Sequence, residues 1–173
     1  MKKILVNSII FFFLIFHSCL KDNIPLSNVR EDYIGDQLRI DGLYYQKPSN
    51  GYINYVQFYY RNGIKFQMSF SGEVTDPTDL ASILTKEKIE FHRKGKYNWG
   101  IFKIKDNDFL SEHWDTPIDG NYVATITWTG EILSDTSFII TKIVQPQGVF
   151  EGRAVWYFYP YSPKPDSTNI FIK

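Results

Sequence analysis

The sequence predicts an all-β domain: an antiparallel up-and-down barrel of about eight strands carrying one short helix. Three observations carry this. Runs of β-branched and aromatic residues recur from Leu38 to Tyr161, with Gly, Asn, Asp and Pro between them. Apolar spacing shifts to three and four residues in a single place. Most connections are short, so strands pair with their sequence neighbours, and closing the sheet removes the edges an open one must protect. A β-sandwich is the alternative that the same strand spacing allows.

Leu38-Arg39-Ile40-Asp41 alternates apolar and polar and opens a strand running to Tyr45. Pro48 to Gly51 supplies turn chemistry. Tyr52 to Tyr60 is a second strand, and Asn62-Gly63, whose residues tolerate positive φ, turns it back into Ile64 to Phe70. From Thr78 to Lys88, Leu80, Ile83 and Leu84 fall on one helical face behind a start at Asp76-Pro77. Strands resume at Tyr97 to Ile104, Phe109 to Trp114, Tyr122 to Leu133, Ser137 to Ile143 and Ala154 to Tyr159, with a longer loop expected around Pro146 to Gly152. Trp99 is expected to be buried, filling one end of the barrel.

Before the domain comes an address. Lys2 and Lys3 precede an apolar run from Ile9 to Phe16, then His17, Ser18 and the one cysteine, Cys19. The thirteen residues from Ile4 to Phe16 include Asn7 and Ser8, whereas a spanning helix needs about 20 apolar residues. The segment resembles the signal of a bacterial lipoprotein, which implies cleavage before Cys19 and acylation of its thiol (a diacylglycerol) and of its amine (a palmitate-type chain). An ordinary secretory signal and an uncleaved anchor are the alternatives. Leu20-Lys21-Asp22-Asn23 is similar to the tag after the lipid cysteine of Bacteroidetes-type surface lipoproteins, implying the outer membrane, facing either the surface or the periplasm. The expected organisation is a signal peptide over 1–18, a lipidated tether over 19–35 and the barrel domain over 36–173.

Beyond residue 18, 17 Lys and Arg face 19 Asp and Glu, a formal charge of −2. The basic residues are scattered, which argues against nucleic acid. With no second cysteine no intramolecular disulfide forms, and stability must come from packing.

Little in the chain announces chemistry. In Glu112-His113-Trp114-Asp115, strand alternation puts His113 and Asp115 on one face, where they would make a general-base pair, and Glu112 with Trp114 on the other. A solvent-facing strand end is the bland alternative. His92, flanked by Arg93 and Lys94, suits a solvated loop. Two histidines cannot assemble a zinc site without mostly acidic partners, Asp106 and Asp108 lack the rest of a calcium loop, and no nucleophile elbow or phosphate loop occurs. No cofactor or metal is expected.

The aromatics are the remaining lead. They concentrate in the first two strands and the last, which closure makes neighbours, and Tyr44, Tyr55, Phe58, Trp156 and Phe158 are the bulkiest candidates to line a ligand cavity. The stretches Leu38 to Tyr45, Asn98 to Ile104, Gly130 to Phe138 and Ser162 to Asn169 together resemble the lipocalin-like domains of small Bacteroidetes-type lipoproteins. That resemblance implies a calycin-type barrel over about 38–173 and leaves the activity open. The leading expectation is a membrane-held, non-enzymatic barrel binding a small apolar or amphipathic molecule. An accessory lipoprotein presenting its surface to an envelope protein is the alternative, and a barrel enzyme using His113 with Asp115 or Glu112 the third.

Overall fold

A computed structural model describes residues 24–47, 50–115 and 123–173. The apolar leader, Cys19 and the Pro48-Ser49 turn lie outside these residues. Eight antiparallel strands form a closed barrel in sequence order: β1 (Gly42–Gln46), β2 (Ile53–Tyr59), β3 (Ile64–Val74), β4 (Trp99–Lys105), β5 (Asp108–Asp115), β6 (Ala124–Ser134), β7 (Ser137–Gln145) and β8 (Gly148–Pro160). β8 closes the barrel on β1, with Tyr44 opposite Phe158 and Gln46 opposite Trp156. The sandwich alternative is thereby set aside.

Three tight turns share the lower end. At Asn62-Gly63, Gly63 takes φ +72° against the Glu31 carbonyl, so a Cβ there would lie 1.9 Å from that oxygen. Asp106 adopts φ 56° in the β4–β5 turn, a left-handed conformation to which Asp is well suited. Asp135-Thr136 joins β6 to β7. The upper end carries the β1–β2, β3–β4, β5–β6 and β7–β8 connections.

Two differences from the sequence reading have local causes. No long loop precedes β8: Gln145 pairs with Gly148 across a two-residue turn, so 148–153 extend the strand. The helical stretch is broken into a 3₁₀ turn, α1 (Leu80–Ile83) and α2 (Lys86–Arg93). Leu84 leaves the helical region at ψ 60°, and the extended Thr85 caps α2 by accepting from the Lys88 amide.

Register divides the side chains into two cores. On one face, Tyr59, Lys65, Gly100, His113 and Ile126 lie opposite one another strand by strand. This face is interior, because its rings meet across the barrel: Tyr59 of β2 touches Phe109 of β5, and Tyr44 of β1 touches Phe138 of β7. The other face, with Val56, Phe58, Phe66, Met68 and Trp99, packs under Leu80, Leu84 and Ile89 and the C-terminal Phe171 and Ile172. Trp99 is fully buried here rather than inside the barrel end. Its ring lies 4.7 Å from Phe66 and its Nε1 donates to the Arg93 carbonyl.

Residues 24–41 form a strap docked on the barrel. Trp114 Nε1 donates to the Ile24 carbonyl at 2.6 Å. Glu112 accepts from the amides and side chains of both Ser27 and Asn28 at 2.7–2.9 Å. Burial pushes the Glu112 carboxyl up, and these hydrogen bonds more than offset it, leaving it below the usual carboxylate range. The strap then crosses the lower end, where Tyr33 and Leu38 join the inner core and close it.

Candidate functional site

The barrel interior is sealed in its lower half, and inward-facing side chains of its upper half keep partial exposure. Below, Tyr44, Tyr59, Phe102, Phe109 and Phe138 are fully buried, with Phe109 and Phe138 stacked at 4.4 Å and Tyr59 edge-on to Phe102 at 4.8 Å. Trp156 lies parallel to Phe138 at 5.9 Å and roofs this plug. Above it, Tyr55, Trp128, Ile143 and Ala154 also belong to the inner core yet retain partial exposure. Tyr55 and Trp128 face each other at 6.3 Å, and both contact Trp156.

Against this aromatic wall stands a buried polar group. Lys65 and His113 are 0 % and 1 % exposed, and Lys65 Nζ lies 3.1 Å from His113 Nδ1. They sit on β3 and β5, with β4 between them, and Gly100 occupies the register position between them. A Cβ at Gly100 would lie 2.7 Å from the His113 Cβ; its absence leaves the crossing open. Trp128 covers both groups, with Lys65 Nζ 4.8 Å from its ring centroid and the imidazole edge-on at 5.0 Å. Burial lowers both basic groups well below their ordinary values; Asp115 opposes the shift of Lys65, and the lysine itself further lowers His113.

Three neighbours on the same face, Gln57, Gln67 and Ser111, are also buried. The Gln57 carboxamide oxygen accepts from the Tyr59 hydroxyl, and Gln67 Nε2 donates to the Tyr97 carbonyl. Gln57 Nε2, Gln67 Oε1 and Ser111 Oγ have no hydrogen-bond partner. Interiors seldom tolerate such groups, because each forfeits its hydration.

The sequence candidates distribute as follows. Tyr44, Tyr55, Trp156 and Phe158 lie on the inner face. Tyr55 and Trp156 border the upper space, Tyr44 is sealed in the plug, and Phe158 lies under the Arg39 guanidinium at 4.2 Å. Phe58 is a correction: with Gln57 and Tyr59 facing in, it faces out, stacked on Phe66 at 5.9 Å and against Tyr161 at 5.7 Å. His113 is not on a solvated strand end but in the core, hydrogen-bonded to Lys65, and Glu112 faces away from it to hold the strap. Trp128, Lys65 and Ser111 went unnoticed, although Lys65 could have been placed opposite Tyr59 by counting back from the Asn62-Gly63 turn.

Two surface grooves of about 290–310 Å³ lie where the strap docks on the barrel wall, and a third of about 340 Å³ lies between α2 and the C-terminal tail. Among the described residues no group of three or more His, Cys, Asp and Glu gathers as a metal site. No family model, curated protein or solved structure matches this chain.

Proposed function

We propose that this is a lipid-anchored envelope protein that binds a small amphipathic molecule in the upper half of its barrel. The observation that carries the reading is the partial exposure of inward-facing Tyr55, Trp128, Ile143 and Ala154 above a sealed aromatic floor. In a barrel filled to its rim these side chains would pack to completion. Tyrosine and tryptophan offer an apolar ring together with a polar tip, which suits a ligand of mixed character. Anchoring rests on the leader and Cys19, and places the protein at the outer membrane.

Binding is tested by tryptophan emission of the full chain in phosphatidylcholine vesicles titrated with 1-octanol and octanoate. Saturable quenching or shift is expected, with affinity for both weakened by Trp128→Ala. A linear, unsaturable response, matching simple partition into the vesicles, overturns the cup. Anchoring is tested by alkyne fatty-acid labelling: wild type incorporates label and Cys19→Ser does not.

A second reading rests on the β7–β8 hairpin. Val144, Val149, Phe150 and Tyr157 are exposed there, and β8 residues 148–155 have no β1 partner because β1 pairing stops at Trp156. That apolar edge suits a protein interface. Photo-crosslinking from position 149 in intact cells should trap one discrete protein if this reading holds, and none if it does not.

A further inference from the structure

We infer that the cup selects amphiphiles with a monoanionic carboxylate head, which Lys65 holds together with the unpartnered donors of Ser111 and Gln57. The inference rests on the cup reading and adds the chemical class of the ligand to it.

The geometry supports it in three ways. First, the polar groups converge. Lys65 and Gln67 are adjacent on the inner face of β3, Ser111 and His113 on that of β5, and Trp128 lies opposite Ser111 while covering the lysine. Second, the group is rich in donors. The one hydrogen bond of Lys65 goes to His113, which leaves further Nζ–H to offer, and Ser111 Oγ and Gln57 Nε2 are buried without partners. Oxygen acceptors supplied by a ligand are what these donors lack. Third, the lysine lies against the ring of partly exposed Trp128, which faces partly exposed Tyr55, so a chain lying along those rings brings its head to the lysine.

Charge selects a monoanion. Lys65 is the one side chain in the group that can meet an anionic head as a cation, and Asp115 shares its face, close enough to act on it electrostatically and favour the charged form. A dianion such as a phosphate monoester would add a second negative charge with Asp115 nearby and no second cation to meet it. A neutral alcohol would leave the lysine unpaired. A carboxylate forms charge-assisted bonds with Lys65 and accepts from the neutral donors with its remaining lone pairs.

The test uses the full chain in phosphatidylcholine vesicles, read by tryptophan emission, with octanoate, 1-octanol and octyl phosphate as the probes. Wild type should bind octanoate at least tenfold more tightly than either of the others. Lys65→Met, which keeps an unbranched chain and removes the charge, should bring the octanoate-to-octanol affinity ratio to within about twofold of unity. Ser111→Ala, a smaller change that tests the same head site if the methionine variant fails to fold, should lower that ratio at least threefold. Saturable binding with no preference for octanoate, or a preference surviving both substitutions, overturns the inference while leaving the cup intact. Tighter binding of octyl phosphate replaces the carboxylate by a phosphate and overturns it too. Failure of all three probes to saturate overturns the cup itself.

Discussion

Gly100 decides what Lys65 touches. Any side chain on the inner face of β4 at that position would stand between β3 and β5, and its Cβ alone would lie 2.4 Å from the Glu112 carbonyl oxygen. Gly100→Ala should therefore lower stability by about 1–3 kcal/mol, measured by urea denaturation; a loss below about 0.5 kcal/mol would show that the wall yields there. His113 gives this pair a pH signature. The fold holds the imidazole neutral where the unfolded chain would protonate it, so the unfolded state binds more protons and stability falls as pH drops through about 6.5. Replacing the ring with Gln should remove up to about 1.4 kcal/mol per pH unit from the slope below that point. The comparison is urea midpoints at pH 7, 6 and 5 in both chains, with Lys65 and Asp115 facing the site in each. His92, lowered by its own burial, leaves a residual slope in both. Parallel midpoint curves would mean that His113 is protonated in the folded protein.

Strand β3 shows why the existence of the elements was legible and their orientation was not. Ile64-Lys65-Phe66-Gln67-Met68 alternates cleanly, and alternation ordinarily marks apolar residues as the inward face. Here the helical segment and the tail cover the outside of the wall, so Phe66 and Met68 face outward into a dry layer while Lys65 and Gln67 face inward. The same inversion moved Phe58 out of the candidate lining and Trp99 out of the barrel end. Turns were readable because Asn62-Gly63 and Asp106 act through their own backbone; the assignment of faces depends on what packs against the strand from far along the chain. Trp99→Ala, which removes the ring between Phe66 and α2, should cost about 3–5 kcal/mol by denaturant titration, whereas a cost below about 1 kcal/mol would mean that the layer closes over the gap. For the strap, Glu112→Ala deletes the acceptor shared by Ser27 and Asn28. Amide exchange over 24–33 should rise at least tenfold while the amides of β6 and β7 stay protected. The carboxylate holds the strap fully above its unfolded-state pKa, near 4.3, and the clamp weakens as pH falls through its lower folded value; protection over 24–33 that never drops as pH is lowered to the point of global unfolding would contradict this.

At the scale of the molecule, one sheet serves two cores: an outer layer under helices and tail, and an inner one split between an aromatic plug and a polar, partly exposed upper half. The closed barrel was legible because short connections leave eight antiparallel strands few other arrangements. The buried polar group was not legible, since its members come from β2, β3 and β5 and share no motif. The strap has a further consequence, for orientation. Trp114 stands one residue from the upper end of β5 and grips the Ile24 carbonyl, so with a lipid on Cys19 the leash from anchor to grip is five residues. Such a leash reaches at most about 18 Å, against about 60 Å for one running to residue 36. An acylated Cys19 would thus hold the upper end of the barrel, rather than the plugged end, next to the bilayer. Vesicles carrying a spin label on the headgroup should therefore quench tryptophan emission of the anchored chain, and a 20-residue Gly-Ser insertion after Asn23 should reduce that quenching by at least half; equal quenching would place the rim elsewhere. On so short a leash, the water gap an amphiphile crosses between leaflet and barrel is on the order of its own length.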